Sequence, residues 1–122
     1  MTSVQTIASR IRDPVALAAA CRRLGLPEPV QQTITLSGVS ITGSIIPLPG
    51  CSNPIAIDLA TGQVFYSGTE DSKADMRQIA KLLQAYACEK AAMEALSRGH
   101  SVSERQLEDG SIILSIKPGG AK

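Results

Sequence analysis

The amino-acid sequence predicts an α+β fold: a mostly antiparallel sheet of five to seven short strands with two helices, about residues 14–24 and 73–98, packed on one face. Three observations carry this reading. Short apolar pieces broken by Gly, Pro and Asn fill residues 32–68, and two segments have helical periodicity with marked ends. Two alternating runs then close the chain around Asp109-Gly110, a strong hairpin signal. The order is strand, helix, three or four strands, long helix, two strands. No repeat and no long linker interrupts it, so residues 1–122 read as one domain with 118–122 as a flexible tail.

"SVQTIASRI" alternates roughly, with Gln5, Ile7, Ser9 and Ile11 on one side and Val4, Thr6 and Ala8 on the other, which predicts a strand over 3–11. In "DPVALAAACRRLG", Asp13 is placed to cap a helix, Pro14 takes its first position and Gly25 terminates it. Leu17, Cys21 and Leu24 share one face with Ala20 beside them, while Arg22 and Arg23 fall toward solvent.

The strand pieces that follow are "TITL", "SIIPL", "IAIDL" and "QVFYS". "IAIDL" places Ile55, Ile57 and Leu59 on one face, and "ATG" before "QVFYS" supplies the glycine of a hairpin, so these two strands pair antiparallel. The loop "PLPGCSNP" reads as a connection between strands: Pro47 and Pro49 remove backbone donors, and Asn53-Pro54 starts the return.

The long helix opens with Ser72 and Asp75 spaced as a capping box and closes at Arg98-Gly99. Met76, Ile79, Leu83, Tyr86 or Ala87, Met93 and Leu96 form its apolar stripe, thinning near Lys90. About 26 residues at 1.5 Å rise give about 39 Å, longer than a small sheet, which predicts a bend near 89–91 or a protruding end. A second stripe of small side chains, Ala85, Cys88, Ala92 and Ala95, suits close packing within the chain or a dimer contact. The last strands fall at about 101–107 and 111–117, with Ile112, Leu114 and Ile116 on one face. With both helices on one side of the sheet, its other face is expected to be solvated, liganded or covered by a partner.

Composition narrows the function classes. Lys plus Arg number 12 against 11 Asp plus Glu, a formal net charge of +1, so no strong field points to nucleic acid, a membrane surface or a polyanion. Aromatic residues are 2%, too few for base-stacking platforms beside the basic residues Arg10, Arg12, Arg22 and Arg23. No signal-peptide pattern and no membrane-spanning run is read, which predicts a cytoplasmic protein.

The glycines match neither phosphate-binding fingerprint, and the cysteines Cys21, Cys51 and Cys88 have neither disulfide nor zinc-ligand spacing, so they read as free thiols. Cys21 is expected in the core. Cys51, on a loop after glycine, is the best-placed nucleophile, although nothing in the sequence supplies a base. The single histidine, His100, follows the helix-terminating Gly99 and reads as a capping or surface residue. Asp58, Glu70, Asp71 and Asp75 are candidates for an acidic cluster, but carboxylates around 70–75 also suit a helix N-terminus. No catalytic, cofactor-binding or metal-binding residue is assigned.

"TIASRIRDPVALAAACRRLGL", "IAIDLATGQVFYSGTED" and "LLQAYACEKAAMEALSRGHSVSERQLEDGSIILSI" together resemble the hypothetical chloroplast reading frame 35 family, also known as domain of unknown function 1257. Ile11-Arg12-Asp13, Leu24-Gly25, Ala56-Ile57-Asp58, Tyr86-Ala87, Gly99-His100-Ser101-Val102 and Asp109-Gly110-Ser111-Ile112 occupy the places of that family's short motifs. The chain lacks the tryptophan-bearing segment of plastid members, and its 47–54 loop has no counterpart there. The family has no assigned activity, and its bacterial members are often encoded beside an AAA+ ATPase. The resemblance therefore implies a non-enzymatic accessory or adaptor protein with a protein partner, such as that ATPase, while the small-residue stripe of the long helix adds a second copy of the chain as a candidate partner. The alternatives are a small-ligand-binding or sensing domain with a pocket between sheet and helices, and, more remotely, a cysteine-dependent enzyme using Cys51.

Overall fold

The computed structural model describes residues 3–49, 53–68, 73–108 and 112–118. The elements are β1 (Ser3–Ala8), α1 (Pro14–Arg23), β2 (Val30–Leu36), β3 (Val39–Ile46), β4 (Ile55–Asp58), β5 (Gln63–Gly68), α2 (Lys73–Ser97), β6 (Ser101–Gln106) and β7 (Ile112–Lys117). Strands β1 to β5 form an antiparallel sheet in the order β1-β5-β4-β3-β2, and β6 and β7 form a separate hairpin. The fold is α+β, as predicted. The predicted sheet is divided in two, because the last hairpin packs on α2 and does not join the edge of the larger sheet.

Cross-strand partners share a face in an antiparallel pair, so the register assigns the two sides of the larger sheet. Ile7 opposite Val64, Val64 opposite Ile57 and Ile46 opposite Ile55 place the helix-side residues in line. They join Ile11, Leu17, Ala20, Cys21, Ile79, Leu82, Ala85 and Tyr86 in one buried cluster between sheet and helices. The strand predicted over 3–11 stops at Ala8, where the chain leaves the sheet and carries Ile11 into this cluster.

Both helix ends follow from the residues named for them. Asp13 Oδ1 accepts from the Val15 and Ala16 amides at 2.9 and 3.3 Å, with Pro14 next in the chain. Gly25 and Gly99, at φ +73° and +79°, end α1 and α2. In each case the following amide returns to a carbonyl five residues back, Leu26 to Cys21 at 2.8 Å and His100 to Ala95 at 2.9 Å. A bend near 89–91 or a protruding end is expected of α2, and the second alternative fits: the helix runs unbroken through 89–91 and its C-terminal turn leaves Leu96 exposed. Its core stripe differs from the prediction. Leu82 is buried while Met76 is exposed, since the sheet and α1 meet the middle of α2 and its ends overhang.

The second face of the sheet carries a smaller core of its own, although Thr6 on that face stays exposed. Ile45, Ala56, Ile41 and Leu36 form a second buried cluster there, with Val4, Ile34 and Phe65 packed against it. What covers it is the chain itself. β3 begins five residues before "SIIPL" and pairs along its length with β2 through a two-residue turn, Ser37-Gly38, that the sequence reading did not identify. Only Ser44–Ile46 of β3 pair with β4; the rest of the hairpin crosses the sheet until Ser37 Oγ meets Ser67 Oγ of β5 at 2.6 Å.

Gly43 permits this crossing. It sits where β3 parts from β4, and a Cβ there would lie 2.6 Å from the Ile57 carbonyl oxygen.

The small-residue stripe of α2 is mostly covered within the chain, with Ala92 half-buried. Ala85 belongs to the main core, and Cys88 and Ala95 are buried. The β6–β7 hairpin lies over α2, tied down where Arg23 of α1 bridges Glu89 of α2 and Glu104 of β6.

Candidate functional site

An open groove of about 520 Å³ lies between the segment leaving β1 and one flank of α2. Ala8, Arg10, Leu83, Tyr86, Lys90 and Glu94 contribute to its lining. Two lesser clefts, about 310 and 290 Å³, lie beside Pro14 and Gln31 and beside Arg23 and Ile112.

The groove exists because the start of α1 is clamped to α2 at one edge. Tyr86 Oη accepts the backbone N–H groups of Arg12 and Asp13 at 3.2 and 3.1 Å. One turn further along α2, Lys90 Nζ donates to Asp13 Oδ2 at 2.8 Å and lies 3.8 Å from Glu94. Asp13 thus caps its own helix with one carboxylate oxygen and holds α2 with the other. At the far edge Ser9 donates through both its amide and its hydroxyl to the Gly62 carbonyl, and its Oγ accepts from the Ile11 amide at 3.2 Å. Arg12 Nη2 reaches the Thr61 carbonyl at 3.4 Å.

The electrostatics suit anchoring more than proton transfer. The hydrogen bond from Lys90 holds the Asp13 carboxyl below the usual range, and the same bond raises Lys90. Both stay charged around neutrality, and neither is moved toward the pKa near 7 that serves a general acid or base.

The residues singled out from sequence do not converge on one site. Cys21 is fully buried, and desolvation pushes its thiol up to about 11; Cys88 is buried beside Arg23 and Glu104, with desolvation again the largest influence and upward in direction. Both thiols are free, and neither is activated. Cys51 lies outside the described residues, as do Ser72, Asp109 and Gly110 with the cap and turn predicted for them, and the tail beyond Pro118.

Asp58 forms a turn, its Oδ1 accepting the Ala60 amide at 3.0 Å and its carbonyl the Gly62 amide at 2.7 Å. Glu70 and Asp71 fall outside the described residues, so the acidic cluster is not assembled from what is described; no group of three His, Cys, Asp or Glu among those residues is arranged to hold a metal. Half-buried His100 completes the end of α2 with its backbone.

The basic residues separate along α1. Arg10 and Arg12 precede it while Arg22 and Arg23 end it, about 15 Å away at helical rise. Arg22 and Arg23 are exposed, as predicted, but the Arg23 guanidinium is paired with two carboxylates. No helix among the described residues is long and apolar enough to cross a membrane.

The clamp was not read from the sequence. In the sequence Tyr86 reads only as a member of the apolar stripe of α2 and Lys90 as the place where that stripe thins, and neither spacing points to a capping aspartate on another helix. Compared with known proteins, the chain matches no family model, no curated protein and no solved structure.

Proposed function

We propose that this chain is a non-enzymatic accessory protein that binds another protein through the groove beside α2. The observation that carries the reading is the use of Asp13, Tyr86 and Lys90 to fasten two helices together, so that the groove has a rigid wall whose ionisable groups are already partnered. A preformed wall binds with less loss of conformational freedom than a mobile one. The small side chains of Ala87 and Ala91 leave room there for a partner's helix or loop. The sequence resemblance to the hypothetical chloroplast reading frame 35 family supports an AAA+ ATPase as the partner, and a cytoplasmic or stromal setting agrees with that choice.

The test is direct binding of the chain to AAA+ ATPases of its source cell, read by biolayer interferometry and ATP turnover. Binding by the native chain that falls at least tenfold in Ala87→Arg, with an unchanged circular dichroism spectrum, supports the proposal. Absence of binding to every such ATPase overturns it.

A second reading has one specific observation in its favour: a volume of about 520 Å³ lies within the range of small-ligand pockets, roughly 300–1,000 Å³. A metabolite held at 100 times its Kd adds about 2.7 kcal/mol to stability. Melting shifts across a metabolite panel distinguish the two readings, since the adaptor reading expects none.

A further inference from the structure

We propose that β2 is a pairing edge, and that two copies of this chain join through it, antiparallel and centred on Thr33, into one continuous sheet. The inference is independent of the groove and of the partner proposed for it.

β2 is the last strand of the five-stranded sheet, seven residues long, and Val30, Gln31, Gln32, Thr33 and Thr35 are all exposed. A two-residue turn makes Leu36 and Val39 a hydrogen-bonded pair, and the bonded pairs then recur at every second residue: Ile34 with Ile41, Gln32 with Gly43, Val30 with Ile45. The backbone groups of Gln31, Thr33 and Thr35 consequently point away from β3. Among the described residues nothing bonds to them.

Edges of this kind are usually protected by charge, proline or a bulge. Here none is present. From Pro29 to Ile57 the chain has no Asp, Glu, Lys, Arg or His, so the strand, its neighbour β3 and the turn between them carry no charge. Proline is absent from β2 itself, and its register with β3 is continuous, without a bulge. Two such edges meet without like-charge repulsion.

The same geometry selects a second copy as the occupant. The three outward-facing residues are symmetric about Thr33. A two-fold axis there sets Thr33 against Thr33 of the other copy and Gln31 against Thr35, so every outward N–H finds a carbonyl, about six backbone bonds in all. On the face shared with the second core, Val30, 55% exposed in the single chain, lies opposite Leu36 of the other copy. The side chains that meet are uncharged and have strong β preference or hydrogen-bonding capacity.

Light scattering after size exclusion, at concentrations from micromolar to millimolar, should show the mass of two chains appearing as concentration rises. Amide exchange at Gln31, Thr33 and Thr35 should slow in parallel. The chain carrying Gln31→Lys and Thr35→Lys should remain a monomer, and so should the chain carrying Gln31→Glu and Thr35→Glu. Mixing the two should restore the dimer, because position 31 of one faces position 35 of the other. Restoration shows that each variant is folded and that the register is the one given. A native chain that stays monomeric at millimolar concentration, a lysine variant that dimerises as the native chain does, or a mixture that fails to assemble would each overturn the proposal.

Discussion

Tyr86 and Asp13 show how much of this molecule turns on single atoms. One phenolic oxygen accepts two backbone N–H groups at the entrance to α1. Tyr86→Phe keeps the packing and removes the acceptor, so a loss of about 1–2 kcal/mol is expected in a urea titration, with the m-value unchanged.

Asp13→Ala removes both a helix cap and the partner of Lys90. The cap alone is worth about 1 kcal/mol. Asp13→Asn retains the cap and isolates the charge. Because the folded carboxyl lies below its ordinary 3.8, its contribution is complete above that value and disappears as pH falls through the folded one. Lys90 lies above its ordinary 10.5, so its share is complete below that pH and is lost as pH rises through the folded value. Melting curves of Asp13→Asn against pH should therefore be flatter than those of the native chain at both extremes. Buried Cys21 offers a third check. With its thiol near 11, about one molecule in a thousand is thiolate at pH 8, and peptide mapping after alkylation should find it unmodified until the chain is unfolded.

Among the elements, the β2–β3 hairpin has the most distinctive position, since one bend sends it across the sheet to cover a second core. Gly43 has ordinary backbone angles; its requirement is for space against Ile57. Gly43→Ala is expected to cost about 2 kcal/mol, a drop of about 10 °C in Tm, and to raise the exposure of Leu36 and Ile41 in hydrogen exchange.

Parts of these elements were legible beforehand, and the reasons differ. Pro14, Gly25 and Gly99 mark helix ends through backbone constraints that act locally, and the structure puts the ends there. "IAIDL" and "QVFYS" pair as expected because a short loop leaves few alternatives. The stripe on α2 was only partly legible. Periodicity identifies a face and does not say how far along it the sheet extends, which is why Met76 and Leu96 are exposed.

At the scale of the molecule, Arg23 draws the separate hairpin onto the body. It contacts a carboxylate of α2 and one of β6, and its own pKa is raised first by the hydrogen bond to Glu89. Arg23→Ala leaves Glu89 and Glu104 without their shared cation. The pairs are a quarter to a third exposed, so global stability should fall by no more than about 1 kcal/mol. Exchange in β6 and β7 should rise selectively, because the bridge joins this hairpin to the two helices and not to the five-stranded sheet.

By itself the sequence determined the class of fold, the positions of both helices, the pairing of β4 with β5 and the burial of Cys21, all of which depend on residues near one another in the chain. The tertiary structure decided what depends on distant ones: the clamp of Asp13 by Tyr86 and Lys90, the division into two sheets, and the folding of the β2–β3 hairpin over the face that had been expected to stand open. Local chemistry limits each segment to few conformations. Which surfaces those segments then cover is settled by contacts between residues from thirty to nearly eighty positions apart, and no short window of sequence contains that information.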